Sequence, residues 1–257
     1  MSLEDEFSDV VGKAIKGLEL EPSEICAKAG VTELEIKRVL GGDFLKDALL
    51  RLAPHLELDA EPLVALPNYL PSVSELVGVR RFELPFHAWT VNAWHVEKDG
   101  TTLLFDTGWG KRDILGEIDP TSLDAIFITH EHPDHIGGLD SVNQGSVPLW
   151  HATGALAANC IKIGPFEVSV VDLSGHFTPA VGYFVNGLEQ QLFVVGDAIF
   201  AGSAGGCENL EKFRQAFRTL RKSLKQADDG CLILPGHGPI TSVANEKARN
   251  PFRRHFS

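Results

Sequence analysis

Three histidines and an aspartate fall within six consecutive positions of Thr129-His130-Glu131-His132-Pro133-Asp134-His135-Ile136-Gly137-Gly138. The run follows an apolar segment, 125–129, that is typical of a buried strand, so we expect it on a loop at the end of that strand. Imidazole and carboxylate are the ligands that borderline divalent metals favour. Because four donors at this spacing cannot all serve one metal comfortably, the run indicates two adjacent ions.

Three further donors follow strand-like segments later in the chain, and each is preceded by a glycine that allows the backbone to turn tightly. A single Gly-His or Gly-Asp pair usually marks an ordinary turn. Beside the histidine-rich run, however, these three residues supply the ligands that it lacks. The candidate metal ligands are therefore His130, His132, Asp134, His135, His176, Asp197 and His237.

Short apolar segments separated by Gly, Pro and Asp dominate the chain from about residue 80, which predicts strands. The predicted strands are Val91–Val96, Thr101–Phe105, Ala125–Thr129, Val147–Trp150, Phe166–Val171, Val181–Val185, Leu192–Val195 and Leu232–Leu234. One helix interrupts them, marked by an apolar stripe from Leu210 to Leu224. These patterns predict an α/β domain over residues 78–257.

The first 66 residues have a different character, because their apolar residues recur only at helical spacing. Pro67 and Pro71 then punctuate a predicted linker over residues 67–77. The segment 1–66 contains 14 acidic and seven basic residues, a net charge of −7, whereas the remaining 191 residues have a net charge of −5. We therefore expect a small, acidic, all-α domain in front of the α/β domain.

The whole chain has an ordinary globular composition, with 257 residues that are 44% hydrophobic and 23% charged. Its longest apolar runs are strand-sized, well below the roughly 18 residues of a membrane span, and its acidic start is unlike a secretory signal. Four cysteines without a C-x-x-C pair are typical of reduced thiols in a cytoplasmic protein. A net charge of −12 disfavours nucleic acid and anionic membranes as partners.

The ligand pattern H-x-H-x-D-H, followed by a later His, Asp and His, resembles that of the metallo-β-lactamase superfamily over about residues 78–257. The resemblance implies a four-layer αββα sandwich with a dimetal site at one edge. It implies His130, His132 and His176 for the first metal, Asp134, His135 and His237 for the second, and Asp197 as the bridge. Phe105-Asp106-Thr107-Gly108 matches an early motif whose aspartate orients a ligand histidine.

Within that superfamily, Gly196-Asp197-Ala198-Ile199-Phe200 and the tail 235–252 resemble the glyoxalase II-like hydrolases, which cleave thioesters. This implies two divalent metals, zinc first with iron or manganese as alternatives, sharing a hydroxide that attacks a thioester or related ester. Asp134 and Asp106 are the carboxylates assigned to catalysis. Two departures weigh against glutathione as the carrier: the loop 201–209 lacks the arginine of close relatives, and the chain ends soon after Phe252.

The apolar turn Pro85-Phe86-His87-Ala88-Trp89 lies where this fold often carries a loop over the metals, so Phe86 and Trp89 are candidate substrate contacts. A second enzyme class remains open at this point. The persulfide dioxygenases share the fold and the histidines of the first metal but use a single iron. The full set of seven ligands and the hydrolase-like tail favour hydrolysis.

Residues 8–64 resemble a helix-turn-helix of the phage-repressor type, with Gly30 at the turn and the second helix at about Thr32–Leu40. Such folds usually read DNA through that second helix. Glu33, Glu35 and the net charge of −7 work against phosphate binding. We expect dimerisation, giving a homodimer, or packing over the catalytic domain as a cap. A DNA-binding regulator with a ligand-sensing rear domain is the third alternative.

Overall fold

The computed structural model describes residues 3–71, 76–143 and 147–256. In these residues the α-helices are α1 (Phe7–Gly17), α2 (Pro22–Ala29), α3 (Glu33–Leu40), α4 (Lys46–Leu52), α5 (Ala60–Ala65), α6 (Lys111–Leu115), α7 (Pro133–Ile136), α8 (Leu139–Val142), α9 (Ala152–Ala158), α10 (Leu210–Leu224) and α11 (Val243–Arg249). Short 3-10 helices span Ala53–Leu56, Leu66–Asn68, Pro120–Ser122 and Arg253–His255. Of the predicted linker, residues 72–75 lie outside the described residues.

The strands form two mixed sheets. They are β1 (Val79–Phe86), β2 (Trp89–Lys98), β3 (Thr101–Phe105), β4 (Ala125–Phe127), β5 (Leu149–Trp150), β6 (Cys160–Ile163), β7 (Phe166–Asp172), β8 (Val181–Asn186), β9 (Leu192–Gly196), β10 (Leu232–Pro235) and β11 (Thr241–Ser242). The first sheet has the order β1-β2-β3-β4-β5, and the second has the order β11-β10-β9-β8-β7-β6. Every strand predicted from the sequence is present, although β4 and β5 are shorter than expected.

Sequence patterns did not predict β1, β6 and β11, and all three lie at the edge of a sheet. An edge strand exposes alternate side chains and carries charge without penalty. β1 accordingly includes the exposed residues Arg80 and Glu83, and β6 has a single buried side chain, Ile161. The continuous apolar runs that identified the interior strands are therefore missing from these three.

The two sheets pack face to face around an aromatic centre. Phe105 and Phe127 of the first sheet stack with ring centroids 4.9 Å apart, and Tyr183 of the second sheet contacts Phe127 edge-on at 5.2 Å. The buried hydroxyl of Tyr183 donates a hydrogen bond to the carbonyl oxygen of Ile128 at 2.7 Å. This contact fixes the two sheets beside the segment that contains the histidine-rich run.

Helices cover both outer faces of the sandwich. On the first sheet, Ile114 and Val142 pack with outward residues such as Leu104. On the second sheet, Phe193 points outward to the cluster that includes Phe213 of α10, while its neighbour Val194 points into the sandwich core. The result is the αββα layering that the sequence predicted.

The front helices belong to the same buried cluster as α10 and the C-terminal residues. α1 approaches α10 so closely at Gly17 that a Cβ atom there would lie 2.4 Å from Cδ2 of Phe213. α3 begins at a capping box in which Thr32 accepts from the amide of Glu35 and Glu35 accepts from the amide of Thr32. The predicted helices of the front segment are thus present and share a core with the rest of the chain.

Among the described residues, the longest helix, α10, has 15 residues, and no helix has the length and apolarity of a membrane span.

The close contact between α1 and α10 predicts the outcome of a glycine substitution. Gly17→Ala should lower the free energy of unfolding by about 1–3 kcal/mol, because the new methyl group must displace the buried ring of Phe213. Gly154→Ala is the matched control. A Cβ at Gly154 of α9 meets nothing within 4 Å, so alanine there should be neutral or should stabilise by up to about 1 kcal/mol. Urea unfolding measures the free energy of unfolding of both variants. Equal values would contradict the close packing of Gly17 against Phe213.

Candidate metal centre

The seven predicted ligands converge at one edge of the sandwich and form two groups. The first group is His130, His132, His176 and Asp197, and the second is Asp134, His135 and His237. Within each group the candidate ligand atoms all lie within 4.8 Å of one another. Five segments contribute: the loop after β4, helix α7, and the ends of β7, β9 and β10.

Three imidazoles and one carboxylate oxygen make up the first group. Nε2 of His130 lies 3.0 Å from Nδ1 of His132, and Nε2 of His176 lies 3.2 Å from the same atom. Oδ2 of Asp197 lies 3.4 Å from Nε2 of His176 and 4.0 Å from Nε2 of His130. Four donor atoms therefore face a common centre.

Asp197 also contacts the second group. Its Oδ1 lies 3.3 Å from Nε2 of His135, and its Oδ2 lies 3.6 Å from Nε2 of His237. Oδ2 of Asp134 completes the group at 3.3 Å from Nε2 of His237 and 3.9 Å from Nε2 of His135. The carboxylate of Asp197 thus stands between the two groups.

Two buried atoms at the centre make no hydrogen bond, namely Nε2 of His135 and Oδ1 of Asp197. A buried polar atom without a partner is costly, so such atoms indicate a group that satisfies them. Nitrogen and carboxylate donors at these positions suit Zn²⁺, Fe or Mn²⁺. The residues present therefore fit two neighbouring divalent cations.

The outer ring nitrogens of four histidines have oxygen partners. Nδ1 of His130 lies 3.1 Å from Thr129 Oγ1, Nδ1 of His135 lies 2.8 Å from Asp106 Oδ2, Nδ1 of His176 lies 2.6 Å from the Gly206 carbonyl, and Nδ1 of His237 lies 2.7 Å from the Thr90 carbonyl. An oxygen acceptor at Nδ1 keeps the proton on that atom. In the neutral form of each ring, the Nε2 lone pair is then free to face the centre.

Asp106 lies beneath the second group, where the sequence placed a partner for a ligand histidine. Its carboxylate accepts from the amide and the hydroxyl of Thr129, both at 2.8 Å, and from Nδ1 of His135 at 2.8 Å. Its φ of 58° lies in the left-handed region, which aspartate tolerates better than most residues. One buried carboxylate thus orients His135 and anchors the strand end that precedes His130.

Burial keeps two imidazoles of the first group uncharged. Burial lowers the pKa of His130 well below its ordinary value, and the neighbouring ring of His135 adds to this effect. Burial, assisted by His176, likewise lowers the pKa of His132. Neutral imidazole is the form that coordinates a metal, so these two rings are in the required state near pH 7.

At Asp197 and His237, neighbouring charged groups shift the pKa more than burial does. Burial opposes ionisation of this carboxyl, yet the imidazoles around it, His237 and His135 foremost, hold its pKa well below its usual range. Burial also disfavours a charged His237, but Asp197 and Asp134 outweigh burial and raise its pKa to about 9. Metal binding at His237 must therefore displace a proton.

Of the two predicted substrate contacts, Phe86 lies beside the centre, with its ring centroid 6.5 Å from that of His237. Trp89 pairs with Phe86 across the hairpin turn and is 63% exposed. Phe86 also contacts the rings of His87 at 5.0 Å and Trp109 at 5.2 Å. The predicted turn is therefore an aromatic wall on the His237 side.

Sequence reasoning missed two further aromatic neighbours. Phe177 lies 4.7 Å from the ring of His132, and Phe200 lies 5.7 Å from the ring of His237. The sequence contained a signal for both residues, because Phe177 directly follows the candidate ligand His176 and Phe200 closely follows Asp197. Large apolar residues next to ligand positions are candidates for the walls of a site.

A comparison with protein families agrees with this geometry. The model of the metallo-beta-lactamase superfamily matches residues 88–155, which include the histidine-rich run and Asp106. The chain has the metallo-beta-lactamase fold and contains a domain of that superfamily.

Two relatives and one solved structure are similar to this chain. The chain is similar to the probable metallo-hydrolase YqgX of Bacillus subtilis, with 29% identity over 199 residues that cover 65% of this chain and 93% of the relative. It is also similar to the hydroxyacylglutathione hydrolase GloC of Haemophilus influenzae, at 21% identity over 62% of this chain and 89% of the relative. The crystal structure of the B3 metallo-beta-lactamase BLEG-1 shares the fold, with a TM-score of 0.56, 23% identity, and coverage of 68% and 99%.

The contacts of Asp106 predict the effect of replacing it by asparagine. In Asp106→Asn, a side-chain amide facing Nδ1 of His135 would favour the tautomer with its proton on Nε2, the atom that faces the centre. Zinc affinity should fall by roughly 10–100-fold, the range for partners of ligand histidines. Competition with a chromophoric chelator measures the zinc affinity.

Asp124→Asn is the control for this measurement, because Asp124 also accepts from a backbone amide, that of Thr102, outside the centre. It should bind zinc as the wild type does. Equal affinities for all three proteins would show that Asp106 does not set the tautomer of His135.

Proposed function

We propose that this protein is a metal-dependent hydrolase of the glyoxalase II-like type that cleaves thioesters or related esters. The observation that carries the proposal is the carboxylate of Asp197, whose Oδ2 faces donors of both groups and whose Oδ1 faces the second group. That arrangement suits a dimetal centre. The hydroxyacylglutathione hydrolase named among the relatives supports a thioester as the substrate class.

Two bound divalent cations, zinc first with iron or manganese as alternatives, would supply a nucleophilic water at neutral pH and would polarise the substrate carbonyl. The first would be held by His130, His132 and His176, the second by Asp134, His135 and His237, with Asp197 bridging.

The residues of the chain prepare that centre in two ways. The hydrogen bond from Nδ1 of His135 to Asp106 holds the ring proton away from the centre. Burial disfavours the ionised form of Asp134, but the hydrogen bond from His237 and the charges of His135 and His237 together outweigh burial and lower its pKa. Of the two carboxylates assigned to catalysis, Asp106 thus acts by orienting the ring of His135, and Asp134 acts by remaining an anionic donor.

Aromatic side chains on two sides of the centre support an apolar acyl group in the substrate. Phe86, which contacts Trp109, lines the side of His237, and Phe177 lines the side of His132. Contact with a flat or branched acyl group would exclude water from the carbonyl. Trp89, on the same hairpin as Phe86, is the second proposed substrate contact.

The metal content of the purified chain is the decisive first measurement. Protein prepared without chelator or metal-affinity resin should contain close to two divalent ions per chain by elemental mass spectrometry. It should then hydrolyse members of a panel of acyl thioesters, followed by monitoring the released thiol. A single iron per chain, with oxygen consumption on a persulfide and no hydrolysis, would overturn the proposal in favour of a dioxygenase.

Replacement of ligands should abolish hydrolysis. Asp197→Asn and His132→Ala should each lower kcat/KM by at least about a thousandfold, since each removes a donor that the metals need. His55→Ala is the control, because His55 is exposed on a 3-10 helix of the front segment. Retention of activity by Asp197→Asn together with two bound ions would contradict the bridging role.

A further inference from the structure

The segment that follows Asp197, residues 198–207, packs directly against the metal centre; we call it the aspartate loop. A Cβ atom on Gly205 would lie 2.1 Å from the Asp197 carbonyl oxygen and 3.0 Å from Cγ of His176. The carbonyl oxygen of Gly206 accepts the hydrogen bond from Nδ1 of His176 at 2.6 Å. A shift of this loop would therefore move the ring of His176.

The aspartate loop has little means of fixing its own conformation. It includes Gly202, Gly205 and Gly206, and glycine loses more conformational freedom on ordering than any other residue. Only one pair of backbone hydrogen bonds, between Phe200 and Ser203, is internal to the turn. Burial of Ile199, Ala201 and Ala204 in the core supplies part of the remaining order, and polar contacts from outside the loop supply the rest.

One such tie comes from the front helix α1. Nζ of Lys13 donates a hydrogen bond to the carbonyl oxygen of Ala204 at 3.0 Å and lies 5.0 Å from the centroid of the Phe200 ring. An ion pair with Asp5 directs the Lys13 side chain. Lys13 thus contacts the aspartate loop at two points, 191 residues away in sequence from Ala204.

A second tie also starts near the front segment. The hydroxyl of Tyr69 donates to Oε1 of the buried Glu246 at 2.8 Å, and Oε2 of Glu246 accepts from the amide of Gly202 at 2.9 Å. Asn250 donates to the carbonyl oxygen of Ser203 at 2.8 Å. The loop is therefore held from one side by α1 and from the other by Glu246 and Asn250, and Tyr69 supports Glu246.

We infer that Lys13 is a positioning residue for His176. Through Lys13, the front helical segment helps to fix the geometry of the metal centre. By holding Ala204, Lys13 keeps the Gly206 carbonyl at Nδ1 of His176, and this contact aims Nε2 at the first group. The inference rests on the metal binding of the proposed function. It assigns the front segment a role in metal affinity.

The test compares metal affinities of three lysine variants of the full chain. Lys13→Met keeps an unbranched side chain one atom shorter and removes the donor. We expect roughly tenfold weaker binding of one of the two zinc ions, the low end for partners of ligand histidines. The other ion should bind as before. Lys13→Arg restores a donor and should recover most of the affinity.

Lys16→Met is the matched control, since Lys16 is exposed on the same helix. Cobalt substitution adds a readout that a purely structural role would not move, because altered coordination at the first group changes the visible absorption of Co²⁺. Circular dichroism and urea unfolding establish that each variant is folded. Should Lys13→Met fail to fold, Tyr69→Phe removes the hydrogen bond that supports Glu246 on the other side of the loop, and it must show a loss confined to the same single ion, smaller than that expected for Lys13→Met.

The outcomes separate this inference from the proposed function. If the wild type binds no zinc tightly, the proposed metal centre itself is wrong. If the wild type binds two ions and the folded Lys13→Met binds both equally well with an unchanged cobalt spectrum, the role of Lys13 is overturned. A uniform weakening of both ions in step with lost stability would likewise contradict a positioning role.

Discussion

The buried carboxylate of Asp197 is the constraint on which the site depends. It remains ionised in spite of its burial because imidazoles approach it on several sides, and an unpaired buried charge would be prohibitively costly. Those imidazoles come from separate segments, so the ends of β4, β7, β9 and β10 must all meet at one edge. Asp106 and Tyr183 serve the same requirement, since both fix the backbone next to the histidine-rich run.

The candidate site was largely predictable because its signals are local in sequence. The spacing of the histidine-rich run marks candidate ligands without knowledge of the fold, and beside that run the Gly-His and Gly-Asp pairs at His176 and Asp197 become candidates too. Contacts between distant segments left no such mark. Trp109 meets Phe86 through tertiary packing, and Lys13 meets Ala204 across 191 positions, so nothing in the neighbouring residues of either one indicates its partner.

The strands also differ in how well the local sequence predicts them. Interior strands such as β9 are buried on both faces, so their apolar runs identify them from sequence alone. β1, β6 and β11 lie at edges and acquire their strand character from pairing with a neighbour. The alternation of apolar and polar residues in β1 and β6 is short, and β11 has only two residues, so these three strands were found only in the structure.

The acidity of the front segment and its packing both favour a role as a cap over a role in DNA binding. α3 would read DNA in the alternative interpretation, yet it exposes Glu33 and Leu34, and its Arg38 is paired with Asp43. Phosphate binding requires free positive charge. The segment instead directs its apolar residues to the cluster around α10 and directs Lys13 to the aspartate loop. Helices that bury their apolar face within their own chain and place Lys13 on the aspartate loop support the proposed cap over the regulator.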